Sequence, residues 1–358
     1  MKRLFILLLT ISMLLCACGE KHDGVYTVEE IGANYKTQGR TIVYEDKGIA
    51  LLSTADSFEF NADCEGKVSV TLFGEKMEGS NIDCYFTAYV DGERGETRHH
   101  VVDGEYELVL AEDLEKGEHH FRIVRQSEWE HGRTYVQAIN CTGKLLCAPA
   151  EKEIFIEFIG DSIATGFGNL PEIEFSSDWG GHPVWEDGTQ AFAYMTAEKL
   201  DVDYSIVAIE GVGAIGGHWD FTMNEIYDYY PRVKEKDYSY EPERTADIVV
   251  IELFSNDHAT MREDGYTPND IVIKGKELIE IAKEEHPDCK MVVLPGAFYK
   301  KFETMINEEL SGEANGYYCV DVPLNTNGKA GHPDVEGHTA AAEALCEALA
   351  PIIEDIKK

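Results

Sequence analysis

Four residues that lie far apart in this 358-residue chain have the types needed for one hydrolytic centre. Ser162 stands in Gly160-Asp161-Ser162, directly after the strand-type run Ile154-Phe-Ile-Glu-Phe-Ile159. A serine hydroxyl is a poor nucleophile at neutral pH, so it needs a base and donors for the oxyanion that forms on attack. His332, in Gly331-His332-Pro333-Asp334, is of the type that takes the serine proton and returns it to a leaving alcohol. The backbone N–H groups of Ser162 and Gly211, with the side-chain amide of Asn256, are candidate oxyanion donors; Gly213 competes with Gly211. The chemistry of such a set is attack on an ester carbonyl through an acyl-serine, with no cofactor and no metal. No CxxC spacing supports zinc, and adjacent strand residues point to opposite faces, so neither His99-His100 nor His119-His120 chelates an ion by itself. Both pairs read as surface residues.

A particular architecture must bring these residues together. Beyond residue 150, strands are expected at 154–160, 204–209, 247–253, 290–294 and 317–322. Helices are expected near 189–199, 269–285, 301–310 and 337–353. Alternation of this kind predicts an α/β, three-layer α/β/α domain with a mostly parallel sheet. The carboxyl ends of parallel strands share one edge, and the four residues each fall just past such an end. Upstream, runs such as 67–73, 84–90, 106–110 and 119–124 alternate polar and apolar residues. Asp91-Gly92, Asp103-Gly104, Lys116-Gly117 and Thr142-Gly143 punctuate them as turn signals, which predicts an all-β sandwich or jelly roll. Ala148-Pro149-Ala150 reads as the joint, so the expected units are 19–150 and 151–358.

The Ser, Gly, Asn, His quartet in this order resembles the SGNH (GDSL-type) hydrolase superfamily. The upstream stretch Leu110-Ala-Glu-Asp-Leu-Glu-Lys-Gly117, followed by Phe121-Arg-Ile-Val-Arg125 and Thr142-Gly143, resembles the β-sandwich of family 2 carbohydrate esterases. The resemblance covers about residues 40 to 355. It implies a jelly-roll domain before a flavodoxin-like SGNH domain, and removal of O-acetyl groups from plant-type polysaccharide or oligosaccharide through acetyl-Ser162. The other readings are an esterase of the same superfamily acting on another small acyl ester, and a carbohydrate-binding lipoprotein without activity.

Two departures from the family pattern stand out. Phe254 occupies a position that is usually glycine, and is expected to narrow the pocket. Lys329 stands where the superfamily often places an aspartate, three residues before the histidine. The resemblance then implies a Ser–His dyad whose ring is held by a backbone carbonyl, with the loop Asn325–Gly331 as provider. Asp334 is the rival orienter, but it also sits where a helix N-cap is expected. Asp161 and Asp257 read as structural, and His338 as a neighbour of the site. Trp179, Trp185 and Trp219 are candidates for a sugar-stacking platform or for the core.

The first residues read as an export signal. Lys2-Arg3 precede an apolar run, Leu4 to Leu15, which is too short to span a bilayer comfortably. Leu15-Cys16-Ala17-Cys18 resembles a lipobox, so residues 1–18 are expected to be a signal peptide ending at a lipidated Cys18; a plain secretory signal is the alternative. Either places the mature protein outside the cytoplasm, in the second case without an anchor. The net charge of −36, or −38 without Lys2 and Arg3, argues against nucleic acid and anionic lipid as partners, leaving the lipid anchor as the membrane contact. Of nine cysteines, Cys64 with Cys84 and Cys141 with Cys147 are conceivable pairs, against a default of buried free thiols.

Overall fold

The computed structural model describes residues 22–77, 82–172, 183–232 and 239–358; Cys18 and Trp179 lie outside them. The second half is built on five parallel strands. Their spatial order is Asp203–Ala208, Phe155–Gly160, Ile248–Glu252, Lys290–Leu294 and Tyr317–Cys319. Asp203–Ala208 and Ile248–Glu252 are buried at every position, as strands covered by helices on both faces must be. On one face Pro268–Glu285 and Tyr299–Glu309 bring Ile271, Leu278 and Phe302 against Val249, Ile251 and Val293. On the other, Phe192–Leu200 and Val335–Ile356 bring Ala193, Ala197, Leu345 and Leu349 against Ile156, Phe158 and Ile206.

The first strand in sequence lies between the second and the third. The connections therefore leave in opposite directions at that point and open a crevice beyond the carboxyl ends of Phe155–Gly160 and Ile248–Glu252. One helix at this edge, Ser255–Asp264, is not foreseen in the sequence pattern. It has no apolar stripe, and Asp257 is its one buried residue.

The first half is hydrogen-bonded as a single ten-stranded antiparallel sheet. Ser57–Glu75 and Gly104–Arg125 pair along most of their length, with register shifts near Cys64, Gly66 and Val68. Such bulges bend strands and let one sheet curl around its own core, here Phe58, Phe60, Phe86, Phe121 and Val70. Two expected turns are absent: Gly117 lies inside Gly104–Arg125, and Gly143 inside Arg133–Leu145. Cys64, Cys84 and Cys141 are free thiols, so neither conceivable disulfide forms. His99 is buried beneath the sheet edge rather than on the surface, and His100 pairs with Asp83.

Charged groups that would be costly alone join the two halves. Arg40, fully buried, donates to Glu157 at 3.2 and 2.9 Å, to Glu285 at 2.7 Å and to the Tyr227 carbonyl at 2.6 Å. Burial pushes the Glu157 carboxyl up, but Arg40 and His286 outweigh it and hold the group well below the usual carboxylate range. Arg40→Ala would remove the full counter-charge of buried Glu157, leaving it only the Tyr227 hydroxyl and the His286 ring, and should lower stability to urea by about 3–5 kcal/mol. Lys152→Ala, which removes a solvent-facing partner of Asp201, should cost about 0–1 kcal/mol. Equal unfolding midpoints for the two variants would show that Arg40 does not join the halves.

Candidate active site

The strand Phe155–Gly160 ends in a turn that only glycine permits at position 160. A Cβ there would stand 2.4 Å from that of Ala164 and 2.9 Å from the Glu252 carbonyl oxygen. Asp161 then caps the single helical turn Ser162–Thr165, its Oδ1 accepting the Ile163 N–H at 3.0 Å. Ser162 is thereby held at the first helical position, where an N–H has no intrahelical acceptor. Its Oγ lies 2.8 Å from Nε2 of His332.

The other ring nitrogen of His332 faces a backbone carbonyl. Nδ1 is 3.2 Å from the Lys329 oxygen, which also accepts the His332 N–H at 3.0 Å. Nδ1 must carry the proton for that contact to be a hydrogen bond, which leaves Nε2 with its lone pair toward the serine. The carbonyl is itself fixed: Lys329 donates its N–H to Gly168 at 2.8 Å, and Gly328 donates to the His332 carbonyl at 2.8 Å. Ala330 completes the turn at φ +53°, a left-handed conformation that alanine rarely adopts. Gly168, at φ +73°, is needed here because a Cβ would approach the Lys329 oxygen to 2.8 Å. The Lys329 side chain turns away and places Nζ 5.2 Å from the centre of the Trp185 ring.

Asp334 is engaged elsewhere. Its Oδ1 caps the last helix through the Gly337 N–H at 2.9 Å and accepts Asn325 Nδ2 at 2.7 Å. His338 is buried, takes the Phe192 N–H on Nδ1 at 3.2 Å and is pushed down to about 4 by burial. Neither residue is bonded to Ser162 or His332 among the described residues.

The candidate oxyanion donors meet at the same edge. The N–H groups of Ser162 and Gly211 donate to no protein group among the described residues. Asn256 Nδ2 donates to the Val212 carbonyl at 2.9 Å and to Asp161 Oδ2 at 3.2 Å, so a third partner must replace one of these. Asp257 takes the N–H groups of Ala214, Ile215 and Gly216 at 2.9, 2.7 and 3.1 Å, and so shapes the loop that carries Gly211. A Cβ on Gly213 would meet the Asp257 carboxylate at 2.7 Å, which places Gly213 against this acid. Burial raises Asp161 to about 7, with opposing hydrogen bonds from Ile163 and Ser255. Behind it Glu252 is raised well above its ordinary range by burial and by Asp161.

Phe254 does not narrow the crevice. It adopts φ +86°, the conformation a glycine would take, and its ring enters the core 4.6 Å from that of Phe302. Trp185 borders the His332 loop. Trp219 lies at the other side, its Nε1 donating to the Glu210 carbonyl at 2.6 Å and its ring stacked on Phe221. Sequence reasoning missed the support of the nucleophile loop. Asn169 clamps Asp187 in both directions, at 2.9 and 3.0 Å, and Asp187 binds Arg94 of the antiparallel domain at 2.7 Å. The Gly166-Phe-Gly168-Asn169 run after the serine was the available signal.

Burial, outweighing the backbone bonds to its ring, moves His332 below the ordinary imidazole value of 6.5. The ring should therefore be neutral at pH 7. An NMR titration of its ring protons should give a midpoint under 6.5, and a midpoint above 7 would contradict the part-buried setting in which, among the described residues, no carboxylate is bonded to the ring.

Comparison with known proteins adds independent findings. Residues 37–149 match the model of the carbohydrate esterase 2 N-terminal domain. A cellulase/esterase, CelE, of Acetivibrio thermocellus is 28% identical over 259 residues, covering 66% of this chain; the chain spans only 30% of that relative's length. An acetylxylan esterase / glucomannan deacetylase of Cellvibrio japonicus is 22% identical over 377 residues, covering 99% of this chain and all of the relative. A family two carbohydrate esterase from Clostridium thermocellum, solved in complex with cellohexaose, superposes with a TM-score of 0.77 at 23% identity. That match covers 89% of this chain and 99% of the other, and at such identity it establishes the fold. In its N-terminal domain and in the fold of nearly its whole length, this chain is similar to the family 2 carbohydrate esterases.

Proposed function

We propose that this chain is an extracytoplasmic serine esterase that removes O-acetyl groups from plant-type polysaccharide or oligosaccharide. The observation that carries the reading is the 2.8 Å contact of Ser162 Oγ with His332 Nε2, in a ring whose Nδ1 is held by the Lys329 carbonyl. The likeness to carbohydrate esterases supplies the substrate class. The proposal includes residues 19–150 as a jelly-roll unit, 151–358 as the catalytic unit, and export through residues 1–18 with lipidation at Cys18.

In this mechanism Ser162 Oγ attacks the acetyl carbonyl carbon as Nε2 of His332 takes its proton. The carbonyl oxygen becomes an oxyanion facing the N–H groups of Ser162 and Gly211. Asn256 joins them by exchanging its longer bond, to Asp161, for the oxyanion. Collapse breaks the bond to the sugar oxygen, which receives the proton from His332, and leaves acetyl-Ser162. Water, deprotonated by the same imidazole, then releases acetate. The Lys329 carbonyl fixes tautomer and orientation, the geometric part of an orienting carboxylate's role.

Release of acetate from acetylated xylan or glucomannan tests the reading. Turnover of aryl acetates alone would favour another small ester, and glycan binding without acetate release would favour an inactive binding protein. Ser162→Ala and His332→Ala should be nearly inactive with the fold retained. Asp334→Ala should keep substantial activity and lose about 1 kcal/mol of stability from the uncapped helix. A loss of about 10³–10⁴ in kcat for Asp334→Ala would instead assign it the orienting role. Asn256→Ala should lower kcat by about 10²–10³ with a smaller change in KM, and a change confined to KM would remove it from the oxyanion site.

In the wild-type enzyme kcat/KM should be flat above neutrality and fall with an acid limb below pH 6.5, because protonation of a His332 whose pKa is lowered removes the base. An acid limb above pH 7 would point to a different base.

A further inference from the structure

The antiparallel domain reaches the catalytic edge through the 3₁₀ turn Trp129–His131, which Glu128 precedes. Residues three apart eclipse in such a turn, so Glu128 and His131 project to one side. Both are buried. Glu128 Oε2 accepts the Glu210 N–H at 2.7 Å, which leaves Oε1 buried without a hydrogen bond among the described residues; His131 Nε2 is in the same condition. Glu186, fully buried in the neighbouring segment, receives a hydrogen bond on neither carboxylate oxygen, and its Oε2 lies 3.4 Å from His131 Nε2. The Glu128 N–H also faces Glu186, but not with the alignment of a hydrogen bond. One ligand atom each from Glu128, Glu130 and His131 falls within 4.8 Å of the other two.

The nearby cations do not serve these oxygens. Arg125 donates to the carbonyls of Leu51, Ser127, Glu128 and Gly132 at 2.9, 2.7, 2.6 and 2.8 Å. Arg98 donates to Gln126 Oε1 at 2.8 Å and to the carbonyls of Val184, Pro183 and Glu186. Their charge is close, but each guanidinium spends four of its five N–H groups on these acceptors, and among the described residues neither arginine donates to the Glu128 or Glu186 carboxylate. Buried carboxylate oxygens without donors are strongly disfavoured unless they are protonated or ligate a cation.

We propose that Glu128, His131 and Glu186, with Glu130 on the solvent side, bind one divalent transition-metal ion of the zinc class where the two domains meet. An imidazole among carboxylates suits zinc, whereas calcium and magnesium take all-oxygen sets. A neutral imidazole is the form that ligates. Zinc bonds of about 2.0–2.2 Å place ligand atoms about 3.5 Å apart, so the side chains close in by about 1 Å. Glu130 also lines a cleft of about 250 Å³ with Glu210, His218 and Trp219, which brings solvent to the edge of the cluster. Because Glu128 also holds the Glu210 N–H, the ion would tether the loop that carries Gly211 to the antiparallel domain.

The test reads metal uptake rather than esterase activity, so its outcome is separate from that of the proposed reaction. Full-length chain stripped with EDTA should bind about one equivalent of zinc chloride by calorimetry, with a rise in thermal midpoint. Cobalt(II) chloride should give visible absorption bands. Glu128→Gln with His131→Asn, and separately Glu186→Gln, should each weaken zinc uptake at least tenfold, whereas His119→Ala on the sheet surface should not. No uptake by the wild-type chain, or uptake unchanged in Glu186→Gln, overturns the proposal even if the double variant fails to fold.

Discussion

A histidine ring held by a carbonyl instead of a carboxylate sets the main structural demand on this molecule. A carboxylate can adjust a flexible side chain to follow the ring, but a carbonyl is only as well placed as the backbone that carries it. The turn at 328–332 is accordingly closed by three backbone hydrogen bonds, two of them within it and one to Gly168. Ala330 is held at a positive φ, at a cost of roughly 1–2 kcal/mol. Asn325 then joins the turn to the last helix, accepting the Asp334 N–H at 3.1 Å and donating to its carboxylate. The capping aspartate thus acts on His332 indirectly, by fixing where the loop ends and the helix begins.

The antiparallel domain is part of the foundation of this site. Arg94 binds Asp187, Arg98 binds three carbonyls of the 183–186 segment, and the Gln126 carbonyl accepts the Gly188 N–H at 2.8 Å. Thr54 reaches the Thr165 carbonyl at 3.2 Å, at the end of the nucleophile turn itself. Trp185 meets the His332 loop from within that braced segment, and Asn169 of the nucleophile loop clamps the segment through Asp187. The arginines are suited to the task because one planar guanidinium satisfies several carbonyls of an irregular segment at once.

Buried acids recur throughout, and each environment resolves its charge differently. Glu157 has Arg40, a full counter-charge. Asp257 has three backbone N–H donors. Burial raises both Asp161 and Glu252, with repulsion from Asp257 adding to the first and from Asp161 to the second, which favours a retained proton near neutrality. Among the described residues Glu128 and Glu186 have neither enough donors nor a directly bonded cation, which is why that cluster stands apart.

Local sequence determined much of the frame. The hydrophobic runs that became the five parallel strands, the glycine at 160, the serine past the strand end and the Asp334 cap are encoded within a few residues of themselves. Short-range sterics and burial periodicity therefore suffice to read them. The quartet could be assigned to one edge because parallel topology leaves no other arrangement of the strand ends. What tertiary structure alone decided involves partners distant in the chain. The choice of Lys329 among the loop carbonyls depends on Gly168, and the direction of Phe254 depends on space beside Gly275 and Phe302. The helix Ser255–Asp264 has no apolar period to announce it. The long curled strands override turn signals at Gly117 and Gly143 because cross-strand pairing over many residues outweighs a local preference. The meeting of Glu128 and His131 with Glu186 is likewise a product of domain docking, since burial and charge environment belong to the assembled fold and not to any short segment.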